Sequence, residues 1–268
     1  MSHINKIMNT RSIAQKFIVY FLIFGLSTGC ATVHGPGNEN DPLESYNRAM
    51  FDFNEGFYEY FLDPIVDAYQ FITPEFVQTG VSNFFSHLDD VLVMGNSLLQ
   101  FKFHDFVHTF MRFVFNTFFG FLGLVDVASH MGLPKLNEDF GQTLGAWGVP
   151  AGPYFVQPLL GPSTIRDTFG DYVDWEYMSP LNLHVDNEDA RYALIGLQAI
   201  DTRMGLIKTD KVISKASHDK YAFVRDAYLQ RRQFLVYDGD PPRVKPKLAP
   251  ATDEDLELED ALEKELLQ

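Results

Sequence analysis

The residues most able to do chemistry are few. Cys30 is the only cysteine of the 268 residues, so no intramolecular disulfide can form. Just before it, Lys6, Arg11 and Lys16 form a basic segment without acids, Phe17–Leu26 is a ten-residue apolar run, and Ser27-Thr28-Gly29 follow. Such a run is too short to span about 30 Å of hydrocarbon. It has the anatomy of a signal peptide. Leu26-Ser27-Thr28-Gly29-Cys30 matches a bacterial lipobox, with Ser27 standing where a larger aliphatic is commoner. The sequence therefore predicts cleavage between Gly29 and Cys30 and acylation of the Cys30 thiol. The alternative is an ordinary secretory signal followed by an incidental thiol. Two or more acyl chains, at about 0.8 kcal/mol per buried CH₂, hold a protein stably on a membrane. Ala31 is not the Asp that marks inner-membrane retention, which points to the outer membrane.

Two other groups could be reactive. His104 and His108 are spaced as in H-E-x-x-H, with Asp105 in place of Glu. A helix would put both imidazoles on one face, but Asp is a methylene shorter and no third ligand offers itself. Arg166, Asp167, Asp171 and Asp174 could be catalytic; ion pairing that orders a glycine-rich loop is the simpler expectation. There is no G-x-S-x-G, P-loop or G-x-G-x-x-G pattern, and lipidation would use the one thiol. No enzyme, metal or cofactor is expected on these grounds.

The elements that carry these residues are helical. Asp41-Pro42-Leu43-Glu44 reads as cap, first-turn Pro and acidic third position. Leu43, Tyr46, Met50, Phe53 and Phe57 then form one stripe at helical spacing. Asp63-Pro64 and Thr73-Pro74-Glu75 repeat the start signal, predicting three short, sharply angled helices, with another over 88–99. Between Phe110 and Leu124 the only polar side chains are Arg112, Asn116 and Thr117, so that helix is a buried core element or faces lipid. Seven Gly and five Pro between Gly132 and Gly170 predict ordered, irregular loops. Helices resume over 189–207 and 219–237.

Composition fits. Of 25 Phe, most lie between Phe51 and Phe121. The net charge is −15, and loss of residues 1–29 makes the remainder three charges more negative. That argues against nucleic acid, whose phosphates demand Lys and Arg. Residues 251–268 hold eight acids against Lys264, a solvated tail. The expected division is a signal peptide over 1–29, a lipidated flexible tether over 30–40, a helical domain over 41–237 and an acidic, disordered tail over 238–268.

A longer pattern resembles a known family. Asp41 to Asn54 (D-P-L-E-S-Y-N-R-A-M-F-D-F-N), Gly80-Val81-Ser82-Asn83-Phe84, Arg112 to Thr117, Asp139 to Gly145, Gly161 to Asp167, Asp201-Thr202-Arg203 and Val224 to Arg232 occur in the order seen in the MlaA (VacJ) family. The resemblance implies an all-α, ring-like arrangement of short amphipathic helices around a central amphipathic channel, in a lipoprotein lying in the inner leaflet of the outer membrane. It implies removal of phospholipid misplaced in the outer leaflet and its transfer to a soluble periplasmic carrier of the MlaC type, with trimeric porins as partners. A diacyl lipid with two chains of about 16 carbons would lose on the order of 25 kcal/mol entering water unshielded, while its headgroup is disfavoured in hydrocarbon. A conduit thus needs an apolar exterior and a polar seam. Phe53 and Phe115 are candidates for the first, and Asn54, Arg112, Asn116 and Asp126 for the second. Equally, those four would be hydrogen-bonded within the helical body. A tether for porins, or less plausibly a metal-dependent hydrolase, are the competing functions.

Overall fold

The computed structural model describes residues 41–242. The chain opens as one long helical arm: α1 (Glu44–Phe57), a π segment (Tyr58–Leu62) and α2 (Asp63–Ile72) follow without a break. The expected corner at Asp63-Pro64 does not form. Pro64 stands in the first turn of α2, and the wider π turn upstream relieves the clash its ring would make with the preceding carbonyls. Thr73, held extended by Pro74, does end the arm. Next comes α3 (Glu75–Leu99), 25 residues long, uniting what the sequence suggested were two helices. It holds no proline to interrupt it.

Then follow α4 (Phe103–Phe118), the short α5 (Val127–His130) and α6 (Phe140–Ala146), strands β1 (Tyr154–Gln157) and β2 (Gly161–Thr164), α7 (Ile165–Val173), a second π segment (Asp174–Met178), α8 (Pro180–His184), α9 (Glu188–Ala216) and α10 (Lys220–Val236). The all-α expectation needs one correction inside the Gly/Pro-rich region, where β1 and β2 pair antiparallel with Tyr154 opposite Thr164. Another is that α3 and α9 are long. Asp41 also departs from its expected role as a cap. The cap position falls on Leu43, which offers no side-chain bond, and the Asp41 carboxylate turns inward to Asn47 Nδ2 at 2.8 Å, Arg225 Nη1 at 3.3 Å and the Tyr221 hydroxyl.

These elements close on themselves. α1 packs on β1, β2 on α7, α7 on α6, α6 on α3, α3 on α9 and α9 on α2, which leads back to α1. A small apolar cluster of Phe51, Tyr154, Val156 and Tyr221 seals the junction of α1, the hairpin and α10. α4 lies along α3, outside this circuit.

Burial runs opposite to that of a water-soluble domain. Among the described residues, nine hydrophobic side chains are buried, 21 polar or charged ones are buried, and 37 large hydrophobics are exposed. In α1 the buried face is Asn47, Phe51 and Asn54, and in α4 it is Thr109, Arg112 and Asn116. Of the predicted stripe of α1, Leu43 and Phe53 are exposed, Phe53 at 53%, while Tyr46, Met50 and Phe57 are half-buried. No helix among the described residues is long and apolar enough to cross a membrane.

Candidate functional site

The polar residues singled out on α1 and α4 lie in two buried networks. Arg112 reaches across from α4 at 1% exposure. Its Nη1 donates to Ser129 Oγ at 2.7 Å and to the Leu133 carbonyl at 2.9 Å, and its Nη2 to Asp126 Oδ2 at 2.7 Å. Nε stands 3.3 Å from Asp90 Oδ2 on α3. Lys135 completes the set at 2.7 Å from Asp90 Oδ1. Asn116, one turn on, donates to Asp126 Oδ1 at 3.0 Å and accepts from the Ala128 backbone N–H at 2.9 Å. Burial opposes ionisation of Asp126, but Arg112, Ser129 and Asn116 together hold its carboxyl well below the usual carboxylate range. The same Asp126 caps α5 by accepting from Ser129 N. Hence one cation on α4 fastens α3, α5 and the segment beyond it.

Asn54 has a different task. Its amide donates to the Gln157 carbonyl at 2.9 Å and accepts from Leu159 N at 2.7 Å. Asn47, two turns earlier, clamps Tyr154 O and Val156 N at 3.1 and 2.9 Å in the same way. The two amides serve as an artificial neighbouring strand for β1, satisfying edge groups that α1 would otherwise bury bare. Phe53 lies on the outer face of α1, and Phe115 is half-buried with its ring 6.0 Å from Phe119.

A cavity of about 280 Å³ opens between α3, α7, the second π segment, α8 and α9. Phe85, Leu88 and Leu92 of α3, with Trp175 and Leu181, form its apolar wall; Asp89, Asp139, Asp171 and Asp174 form its acidic one. None of the six residues proposed from sequence for the lipid path lines it. The acids differ in state. Asp139 is half-buried, which opposes its charge, yet the Arg232 fork at 2.6 and 2.9 Å keeps it below its ordinary range. Asp171 is exposed on α7, where the neighbouring Asp139 opposes its ionisation. Burial pushes Asp174 up to about 6, against hydrogen bonds from Phe140 N and Asn96.

The Arg166–Asp174 group proves structural in its first half. Asp167 receives Arg166 at 3.0 Å, Arg232 at 2.9 Å and the Tyr228 hydroxyl at 2.9 Å, so α7 is tied to α10. Gly141 and Gly170 allow this closeness, since a Cβ on Gly170 would stand 2.4 Å from Gly141 N. His104 and His108 stack with ring centroids 6.4 Å apart, and His104 pairs only with the adjacent Asp105. Among the described residues no group of three or more His, Cys, Asp or Glu could hold a metal ion. Gly29 and Cys30 lie outside the described residues, as do the tether and most of the acidic tail.

Sequence reasoning missed Asp90, Lys135, Asn47, Asp139 and Arg232. A signal existed for the first. Asp90 and Asn96, with Val93 between them, repeat at three-residue spacing among apolar neighbours, so polar groups recur on one face with helical period. Arg232 carried none, because its partners lie 65 and 93 residues away.

Comparison with known proteins agrees with this architecture. The family model for MlaA lipoprotein matches residues 39–235. The intermembrane phospholipid transport system lipoprotein MlaA of Escherichia coli (strain K12) is 36% identical over 239 residues, covering 86% of this chain and 92% of the relative. Its namesake in Haemophilus influenzae is 34% identical over 221 residues, covering 79% and 86%. A solved structure described as the structural basis for maintenance of bacterial outer membrane lipid asymmetry superposes with a TM-score of 0.63 at 36% identity, covering 73% of this chain and 98% of that one. With the family model and full-length relatives matching the whole ring, this chain belongs to the MlaA lipoprotein family.

Proposed function

We propose that this protein is a lipid-anchored lipoprotein on the periplasmic side of the outer membrane that moves phospholipid between membranes. It takes up phospholipid misplaced in the outer leaflet and hands it to a soluble periplasmic carrier of the MlaC type, with trimeric porins as membrane partners. The observation that carries this reading is the inverted burial. A ring with its aromatics outward and its ion pairs inward matches an apolar solvent outside and polar cargo within. Rings such as Phe71, Phe76 and Phe118, 77–91% exposed, are favoured by an apolar surrounding and disfavoured by water.

In this reading Phe53 and Phe115 belong to the lipid-facing exterior. Asn54, Arg112, Asn116 and Asp126 are the frame behind the path, fixing the hairpin and the α3–α4 pair so that the interior stays open. The acyl chains on Cys30 keep the ring at the bilayer, and no bond is made or broken in the cargo. Directionality comes from other components, because the chain carries no nucleotide motif.

The test is direct. Purified protein should carry phospholipid and transfer it to a periplasmic acceptor, and deleting the gene should raise phospholipid on the cell surface. Purified protein that carries no phospholipid, together with an unchanged cell surface on deletion, would leave only a porin or envelope tether.

A further inference from the structure

The loop after α4 combines exposure, unusual backbone and one buried histidine. Phe118, Phe119, Phe121 and Leu122 are 65–77% exposed. Phe121, Leu122 and Gly123 all have positive φ, at 52°, 60° and 89°. Two bulky residues in the left-handed region persist only where surrounding contacts over-determine them. The contacts are Leu122 N to Thr117 O at 3.1 Å, Gly123 N to Asn116 O at 2.9 Å, Val125 N to Gly120 O at 2.9 Å, and Asn83 Nδ2 to Leu124 O at 3.1 Å. Beneath them lies His87 of α3. A Cβ on Gly123 would fall 2.5 Å from the His87 Cβ and Cγ, so the bare glycine backbone rests directly on the ring.

The hydrogen bonds fix the ring's tautomer. The Thr117 hydroxyl donates to Phe113 O at 2.7 Å, so at 3.2 Å it can only accept from His87 Nε2–H. His87 Nδ1 is then an unprotonated nitrogen, buried and without a partner. The opposite face stacks on Phe113, centroids 4.4 Å apart at 11°. Charged groups reach the ring from each neighbouring element: Arg112 from α4, Lys135 from the segment after α5, and Asp126 from the α5 cap. Asp90, on the same helix as His87, is already occupied by Arg112 and Lys135.

We propose that His87 is a positioning residue for the apolar loop Phe118–Val125: its neutral ring is the floor on which Gly123 sits, and protonating that ring unseats the loop. A proton on Nδ1 would create a buried N–H without an acceptor, near two cations and one carboxylate. Burial, Lys135 and Arg112 accordingly hold the ring below its usual titration range. The sign follows by linkage. With the seated form the weaker base, the seat is fully stable above roughly pH 6.5 and weakens as the pH falls below it. The role of the loop once positioned, entering lipid, rests on the function proposed above; the seat itself does not.

Hydrogen exchange of the full lipidated protein in phosphatidylethanolamine–phosphatidylglycerol vesicles tests this, read at the Leu122, Gly123 and Val125 amides at pH 7.5 and 5.0 and corrected for intrinsic rates. Wild-type loop protection should fall on acidification, about tenfold for each pH unit separating ring titration in the seated and released loop, while α9 amides hold. His87→Gln and His87→Phe, which cannot take the proton, should lose this pH dependence; two variants guard against one misfolding. A wild-type loop equally protected at both pH values, or pH dependence that survives both substitutions, overturns the proposal. Phe121→Asp separates the two readings. If the His87 results hold but Phe121→Asp still transfers phospholipid normally, the seat stands and the membrane role of the loop falls.

Discussion

Replacing Arg112 by Met keeps roughly the volume of the side chain and removes its charge. The structure then dictates what is lost. The Leu133 carbonyl and Ser129 Oγ lose a donor, Asp126 loses its only cation, and Asp90, at 0% exposure, keeps Lys135 alone. Removing one partner of a buried ion pair costs about 3–5 kcal/mol, because the charge left behind is uncompensated. Against a typical total of roughly 5–15 kcal/mol this is about a fifth or more of the stability. Denaturation in mild detergent, followed by far-UV circular dichroism, should show that loss. Adding Asp90→Asn and Asp126→Asn to Arg112→Met should recover much of it, since the unpaired charges are then gone. The pH dependence supplies a second check. Asp126 is held below its ordinary range, so its contribution is present above roughly pH 4 and lost as the pH falls further; Arg112→Met should flatten that slope. An Arg112→Met protein within about 1 kcal/mol of wild type would refute the assignment of a strapping role.

Asn54→Ala deletes both bonds to the hairpin and should cost about 1–3 kcal/mol, with hydrogen exchange accelerating at Leu159, whose N–H loses its acceptor; unchanged exchange there would show that the bonds are dispensable. Cys30→Ala should accumulate as unprocessed precursor in the wrong membrane fraction, and correct sorting of that variant would end the anchor reading.

Much of the molecule is legible in one dimension because its causes are local. The Thr73-Pro74 break, the start of α10 at Asp219 and the two late helices depend on neighbours within four residues. The hairpin was hidden because β1 and β2 satisfy each other only after Asn47 and Asn54, over 100 residues upstream, close the other edge of β1. The path residues show the same limit. Arg112, Asn116 and Asp126 could be seen to share a neighbourhood, but Asp90 and Lys135, which complete their charge balance, come from other elements.

The deepest division concerns direction. Along α1 and α4 the sequence alone determines two stripes at helical period, one aromatic and one of Asn, Thr and Arg. Periodicity fixes which residues share a face and says nothing about which face looks inward. In water the aromatic stripe would turn to the core. Here the ring places Asn47, Asn54 and Arg112 inside and Phe53 and Phe110 outside, because the polar stripe finds matching carbonyls and carboxylates across the fold while the apolar one finds no core large enough to receive it. Only tertiary structure could make that choice, since buried polar groups are stable only where partners from distant segments converge.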